Sequence, residues 1–342
     1  PLEALKVVIS CAASRPASDH KLMFLDISKA YLHADVVDQN LYVTLPKEMK
    51  LSNMCGHLRK ALYGTREAAK CWEIEYSKTM DELGFVKGKT NPCLFRHREH
   101  ETQVFVHGDD FVVSGTKEHL KIVEDKFCSK YLTKVRGILG PDPDDLKSII
   151  MLNRVIEWSE FGISMEADQR HVELILRQLE MEDCRGSDIV GSQVTPDESD
   201  AKMSPEEVTQ FRSLAARCNF LAADRVDMQF ACKEVCRRMS GPCAGDWEML
   251  RKMAKYMKAH PRLVVDFKFQ AAPHVVQVYV DTDYGGCRRT RRSTNGGMAM
   301  LGGHLLKSWS TTQTVVALSS GEAEYYGVAK GACEGIGIAG II

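Results

Sequence analysis

The stretch Val104-Phe105-Val106-His107-Gly108-Asp109-Asp110-Phe111-Val112-Val113 constrains the fold more than any other part of the chain. Two runs of β-branched and aromatic residues flank a short turn containing Gly108, the pattern of a β-hairpin. Two adjacent carboxylates sit at its tip, with no Lys or Arg close in sequence to neutralise them. Such a tip needs a cation. Mg²⁺ suits it, because that ion takes hard oxygen ligands, commonly one or two carboxylates, and keeps positions for water and phosphate. A second stretch, Lys21-Leu22-Met23-Phe24-Leu25-Asp26-Ile27-Ser28-Lys29-Ala30-Tyr31, ends its apolar run on one acid, Asp26. An Asp-Asp pair by itself reads as a solvated turn. Three carboxylates from two strand ends instead make a two-metal phosphoryl-transfer site.

With 342 residues the chain is long enough for two domains, or for three small subdomains sharing one core. Its 44% apolar and 27% charged residues are those of an ordinary globular protein. The net charge of -1 argues against coating nucleic acid by bulk electrostatics and leaves room for a local basic groove. No charged-then-apolar segment opens the chain and no apolar run is long enough for a bilayer, so neither secretion nor membrane insertion is expected. The 12 cysteines are scattered without a Cys-x-x-Cys pair and read as buried reduced thiols. Cys232, Cys236 and Cys243 approach metal spacing, but on a helical stretch with no partnering His, so zinc is not expected there.

In order, Leu2, Leu5, Val8, Ile9 and Ala12 mark an amphipathic helix, followed by the strand ending at Asp26. Leu41 to Leu45 reads as a short strand stopped by Pro46. Residues 58–84 carry a helical pattern, entered through Gly64 and closed by Gly84. Strands at Leu94 to Arg96 and Gln103 to Val106 lead to the Asp109-Asp110 turn. Leu120, Val123, Phe127 and Tyr131 then define a helix face, and Pro141 to Asp145 a loop. Strands are expected at Ile149 to Leu152, Val155 to Trp158 and Gly162 to Met165, and a helix through Val172 to Leu179. Residues 185–205, with Pro196-Asp197-Glu198-Ser199-Asp200, read as a flexible crossing. Three helical patterns follow, up to His260-Pro261. From Val264 the period changes to strands, and a final helix opens at Ser319 or Ser320, which places a domain boundary near 261–274.

The residues in this order resemble the copia-type LTR retrotransposon Pol polyprotein, in its reverse transcriptase and RNase H regions. Asp26-Ile27-Ser28-Lys29-Ala30-Tyr31-Leu32, Leu58-Arg59-Lys60-Ala61-Leu62-Tyr63-Gly64 with Trp72, and His107-Gly108-Asp109-Asp110 each look like one of the family's motifs. So do Arg225-Val226-Asp227-Met228, Arg292-Ser293-Thr294-Asn295-Gly296-Gly297, Ser308-Trp309-Ser310-Thr311-Thr312-Gln313 and Ala317-Leu318-Ser319-Ser320-Gly321-Glu322-Ala323-Glu324-Tyr325. The series covers nearly the whole chain. It implies an α+β fold: partial fingers and palm with the polymerase site over 1–135, palm end, helical thumb and connection over 136–262, and a truncated RNase H-like α/β domain over 263–342.

The resemblance further implies an RNA-directed DNA polymerase in which Asp26, Asp109 and Asp110 are the catalytic palm carboxylates binding two Mg²⁺ ions, with Mn²⁺ as a substitute. Tyr31 matches the aromatic that packs under the nucleotide sugar, against a plain packed tyrosine as the other reading. Tyr63 and Gly64 match residues touching the template–nucleotide pair, and Met151 to Arg154 the place where the family grips the primer. Asp281 and Glu324 match the first two RNase H carboxylates, with Asp283 secondary. The run Arg288-Arg289-Thr290-Arg291-Arg292 reads equally as a phosphate holder and as a solvated turn. Implied partners are an RNA template and DNA primer, an RNA–DNA hybrid, deoxynucleoside triphosphates and other parts of the polyprotein, with no membrane. The implied location is intracellular, in cytoplasmic particles or the nucleus. The family's fingers segment would precede Pro1 and its remaining RNase H acids would follow Ile342. Polymerisation by this stretch alone is therefore expected to be weak or nil, and independent RNase H activity absent. His107-Gly108 replaces the family's Tyr-Val, and Thr65 to Ala69 also departs from its pattern. A degenerate or domesticated nucleic-acid-binding copy and another palm-type nucleotidyl transferase or cyclase are the competing readings.

Overall fold

The computed structural model describes residues 2–15, 20–38, 40–49, 54–191, 201 and 203–342. Of the crossing expected over 185–205, residues 192–200 and 202 lie outside the described residues. The architecture is mixed, with antiparallel sheets and helices, and divides into two compact units, residues 3–146 and 147–339.

In the first unit, helix α1 (Leu2–Ala13) is followed by strands β1 (His20–Ile27), β2 (Tyr42–Val43) and β3 (Gly56–His57), helix α2 (Ala68–Glu82), and strands β4 (Phe85–Lys87), β5 (Leu94–His97), β6 (Gln103–His107) and β7 (Asp110–Thr116). Helix α3 (Lys117–Lys130) and strand β8 (Thr133–Leu139) complete it. Six strands form one sheet in the order β4-β5-β6-β7-β1-β8. β1 is an apolar run, His20-Lys21-Leu22-Met23-Phe24-Leu25-Asp26-Ile27, and is buried on both faces apart from its acid, as a central strand should be. Its buried Lys21 is neutralised by Asp142 and, at 2.8 Å, by Asp145, so the Pro141-to-Asp145 loop is tied down by charge.

Alternation along the strands splits the core. Met23, Leu25 and Ile27 of β1, Val104 and Val106 of β6, and Phe111 and Val113 of β7 join one apolar cluster with Trp72, Tyr76 and Met80 of α2 and Leu120, Val123 and Phe127 of α3. Leu22, Phe24, Phe105 and Val112 are fully buried on the other face.

Two expectations need correction here. Of 58–84, only Ala68–Glu82 is helical, because Gly64 takes φ +93° and Leu62 O closes a turn with Thr65. Leu41 to Leu45 shrinks to Tyr42–Val43 paired with Gly56–His57. The cysteines also divide: Cys11, Cys71, Cys218, Cys232 and Cys243 are buried, but Cys55, Cys128 and Cys333 are exposed.

In the second unit, β9 (Ser148–Met151), β10 (Arg154–Trp158) and β11 (Gly162–Ala167) are followed by helices α4 (Arg170–Gln178), α5 (Pro205–Ala222), α6 (Gln229–Cys236) and α7 (Ala244–Ala259). Then come β12 (Val264–Lys268), β13 (Val276–Thr282), β14 (Thr294–Leu301), β15 (His304–Thr312) and α8 (Ser320–Ala339). β12 pairs with β11, giving the order β12-β11-β10-β9, while β13-β14-β15 form a separate sheet. Phe211, Leu214, Met228, Leu250, Met253 and Met257 centre the helical core. α5 starts with Ser204 and Glu207 bonded reciprocally and Pro205 at its first turn, a strong helix start.

α8 lies on β13 through glycines. Gly327, Gly331 and Gly335, four apart, meet Thr282, Val280 and Val278, and a Cβ at Gly331 would come within 2.4 Å of Val280 Cγ1. Gly337 on the same helix has nothing within 4 Å of such a Cβ. Gly331→Ala is therefore expected to lower stability by about 1–3 kcal/mol through overpacking, whereas Gly337→Ala is expected to be neutral or to raise it by up to about 1 kcal/mol. Urea unfolding midpoints of the two variants check the contrast.

Candidate active site

The β6–β7 hairpin closes with His107 paired to Asp110, leaving a two-residue loop of Gly108 and Asp109. Gly108 has φ +66° and Asp109 has no positive φ, which is the pattern of a type II′ turn with glycine first. Two hydrogen bonds hold the loop backbone. The buried indole of Trp72 donates from Nε1 to Gly108 O at 2.8 Å, and Ile27 N donates to Asp109 O at 2.9 Å. The second bond ties the loop to the end of β1.

There the antiparallel register sets Asp26 directly opposite Asp110. Facing residues in such a ladder have Cβ atoms about 4.5–5.5 Å apart, and like charges at that spacing repel. Both acids alternate away from the cluster under α2 and α3, so they share the opposite face of the sheet. Asp26 and Asp110 are half-buried and Asp109 is exposed. Burial raises the Asp110 pKa above its ordinary value; Asp109 and Asp26 add to the rise, and Arg136 and His107 oppose it.

Two cations border the acids. The β1–β8 register skips Arg136 as a bulge between Phe24 and Leu25, and the Arg136 guanidinium stands 3.6 Å from Asp110 Oδ1. Lys134 faces Asp26 in the ladder without an ion pair between them. Among the described residues, Asp26 and Asp109 make no side-chain ion pair. The three carboxylates are hard oxygen donors of the kind Mg²⁺ takes. As they stand, though, no group of three or more His, Cys, Asp or Glu side chains is placed to hold a metal ion among the described residues.

The chain leaving β1 turns through Lys29 at φ +57° into a 3-10 turn, Ala30–His33. This seats Tyr31 against the apolar cluster. Its ring stacks on that of Tyr63, with centroids 4.4 Å apart and planes inclined by 30°. Tyr63 is half exposed, and at neighbouring Gly64 a Cβ would meet nothing within 4 Å. The fold thus brings together two of the three residues expected to touch the nucleotide, with the third adjacent in sequence.

In the second unit, Met151 and Arg154 pair across a turn whose central residues Leu152 and Asn153 have φ +50° and +58°. A left-handed leucine is strained, of order 1 kcal/mol. Arg154 is buried and bonds Asp224 through Nε at 3.0 Å and Nη2 at 2.9 Å. Asp281 and Glu324 are both exposed, on β13 and α8. Because α8 covers the Val278, Val280 and Thr282 face, Asp281 alternates to the other face. Asp283 Oδ1 accepts from Thr294 N at 2.6 Å. Arg288, Arg289, Arg291 and Arg292 are exposed.

Sequence reasoning missed Arg136 and the bond made by Trp72. Trp72 is visible as part of a motif, but nothing in the sequence links its N–H to a carbonyl at Gly108. Arg136 becomes a neighbour of Asp110 only through a bulge.

A family model described as reverse transcriptase (RNA-dependent DNA polymerase) matches residues 1–156. The retrovirus-related Pol polyprotein from transposon TNT 1-94 of Nicotiana tabacum is 22% identical over 342 residues, 95% of this chain and 24% of that protein. The Pol polyprotein from transposon RE1 of Arabidopsis thaliana is 25% identical over 348 residues, 97% of this chain and 22% of that protein. An uncharacterized mitochondrial protein of Arabidopsis thaliana is 32% identical over 170 residues, 48% of this chain and 68% of that protein. The chain thus spans under a quarter of the length of the Pol polyproteins it matches.

The raised Asp110 pKa has a testable sign. The folded chain keeps a proton on Asp110 at a pH where the unfolded chain has lost it, so ionisation works against the fold as pH rises from the ordinary 3.8 through the higher folded value. Asp110→Asn is expected to match the wild type well below that window and to become relatively more stable through and above it. Urea unfolding midpoints measured across the acid range check this.

Proposed function

Because this chain belongs to the reverse transcriptase family of copia-type retrotransposon Pol polyproteins, we propose that it is the RNA-directed DNA polymerase portion of such an element. In this reading residues 1–135 are fingers and palm with the polymerase site, 136–262 are palm end, thumb and connection, and 263–342 are RNase H-like. The observation that carries it is the ladder register that sets Asp26 against Asp110, with Asp109 in the loop bonded to Ile27.

Asp26, Asp109 and Asp110 would hold two Mg²⁺ ions, with Asp26 and Asp109 as the principal ligands. When bound, such a pair activates the primer 3′-hydroxyl and stabilises charge on the nucleotide's phosphates. The remaining work falls to the chain. Tyr31, backed by the Tyr63 ring, forms a floor under the nucleotide sugar that leaves no room for a 2′-hydroxyl. Tyr63 and Gly64 contact the template–nucleotide pair. The strained Met151-to-Arg154 turn contacts the primer through its backbone and exposed atoms, since Arg154 is engaged by Asp224. Asp281 and Glu324 belong to the RNase H-like region. Partners are the RNA template, DNA primer, RNA–DNA hybrid, deoxynucleoside triphosphates and the rest of the polyprotein, in cytoplasmic particles or the nucleus. No helix among the described residues is long and apolar enough to cross a membrane.

A second reading, a degenerate or domesticated fragment that binds nucleic acid without catalysis, is favoured by Arg136 lying beside Asp110 and by carboxylates that do not converge into a ready cluster. Primer extension on a poly-RNA template with Mg²⁺ separates the two. Whatever extension the wild type supports is expected to fall by about 10²-fold or more in Asp109→Asn; equal extension by both overturns the polymerase reading. In the same assay Tyr31→Ala is expected to raise ribonucleotide use relative to deoxynucleotides about tenfold or more, and unchanged sugar preference removes Tyr31 from the role given it.

A further inference from the structure

We propose that Trp72 is the positioning residue of the carboxylate loop, its indole N–H selecting one of two peptide orientations and so fixing where Asp109 points. The inference rests on the polymerase reading for its functional meaning, but its structural content stands on the hairpin alone.

A two-residue hairpin loop has one peptide between its central residues, and the type I′ and II′ forms differ by a flip of that peptide. In this loop the peptide joins Gly108 to Asp109, and its carbonyl is Gly108 O, the atom to which Trp72 Nε1 donates at 2.8 Å. The flip turns that oxygen away from the indole and takes Asp109 into the left-handed region. Neither residue resists this. Glycine adopts positive φ freely, and aspartate is among the few side chains that tolerate it. Packing does not resist it either, because Gly108 and Asp109 are both exposed. The choice between the two forms therefore falls on hydrogen bonding.

Ile27 N holds Asp109 O, the carbonyl after the flipping peptide, and so fixes the loop to β1 without deciding the flip. Trp72 decides it. The indole is well suited to the task, since Trp72 is 1% exposed. It is also wedged edge-on against Tyr76, Phe111 and Tyr131 at ring centroid distances of 5.5, 6.3 and 5.2 Å. Tyr131 in turn is hydrogen-bonded to Thr79 on the same helix as Trp72. An indole N–H donates only, so it cannot satisfy itself against the flipped form by accepting instead.

The test uses the whole 342-residue chain. Trp72→Phe keeps an aromatic ring and removes the donor. Hydrogen exchange of the peptide covering residues 104–113 is expected to speed up about tenfold, with α5 to α7 unchanged. The Mn²⁺ concentration needed for half-maximal binding is expected to rise by a similar factor. Unchanged exchange in the loop of a folded Trp72→Phe chain overturns the proposal, whatever the metal does. Faster exchange with no Mn²⁺ binding by the wild type supports the hold on the loop and counts against the polymerase reading instead. A measurement on the wild type guards against a variant that fails to fold. Of its four indole N–H signals, one is expected to exchange slowly and to be broadened selectively by Mn²⁺, and to lose that broadening in Asp109→Asn. If Mn²⁺ binds and broadens none of the four, the proposal is overturned.

Discussion

The pairing of β1 with β7 is the contact on which the candidate site depends. It sets two carboxylates side by side, an arrangement that electrostatics alone would not choose. Like charges facing each other across a ladder cost up to about 1 kcal/mol, while each fully buried Phe, Leu or Val side chain contributes about 1.5–3 kcal/mol. β1 and β7 bury Leu22, Phe24, Leu25, Phe111, Val112 and Val113 almost completely. The apolar drive therefore outweighs the repulsion several times over, and the acids are held near each other by residues that never touch them. The repulsion is partly met by Arg136, which the β8 bulge brings to 3.6 Å from Asp110.

The second unit solves its packing differently. Where β1 is covered by large side chains, β13 is covered by a helix reduced to glycine at each point of approach, so that Thr282, Val280 and Val278 fill the space side chains on α8 would have taken. The same alternation turns Gln277, Tyr279 and Asp281 to the other face. Its sheet of β9 to β12 is organised around buried charge, with Arg154 gripped by Asp224 and Glu166 bonded by Arg262 at 2.9 Å through two nitrogens.

How much of this could be read from the sequence depended on whether a feature was local. The β6–β7 hairpin, the end of β1 within one residue of Asp26 and the start of the last helix at Ser320 were legible because period, glycine placement and capping residues act over a few positions. The helix expected over 58–84 failed at its front, since leucine and tyrosine spacing carries on past Gly64 while the backbone does not. The change of period near 264 was legible too, but β12 pairs with β11 across nearly a hundred residues of intervening chain, which no local pattern encodes. The Tyr31–Tyr63 stack, the Trp72 bond and the approach of Arg136 all join residues far apart in sequence, two of them through backbone turns or bulges that shift side-chain parity. The motifs marked the first two places without saying what they touch.

A loop of only two residues leaves the hairpin no slack. Every side chain on β7 finds its face by counting from His107, and one inserted or deleted residue at Gly108-Asp109 would exchange the faces, sending Asp110 into the apolar layer beneath α2 and Phe111 out beside Asp26. Longer connections elsewhere in the unit, such as the one between β5 and β6, carry no such constraint. Drift in length is thus far less tolerable at this tip than drift in composition, and the spacing of the two acids from the strand is the property that selection on such a fold would guard most closely.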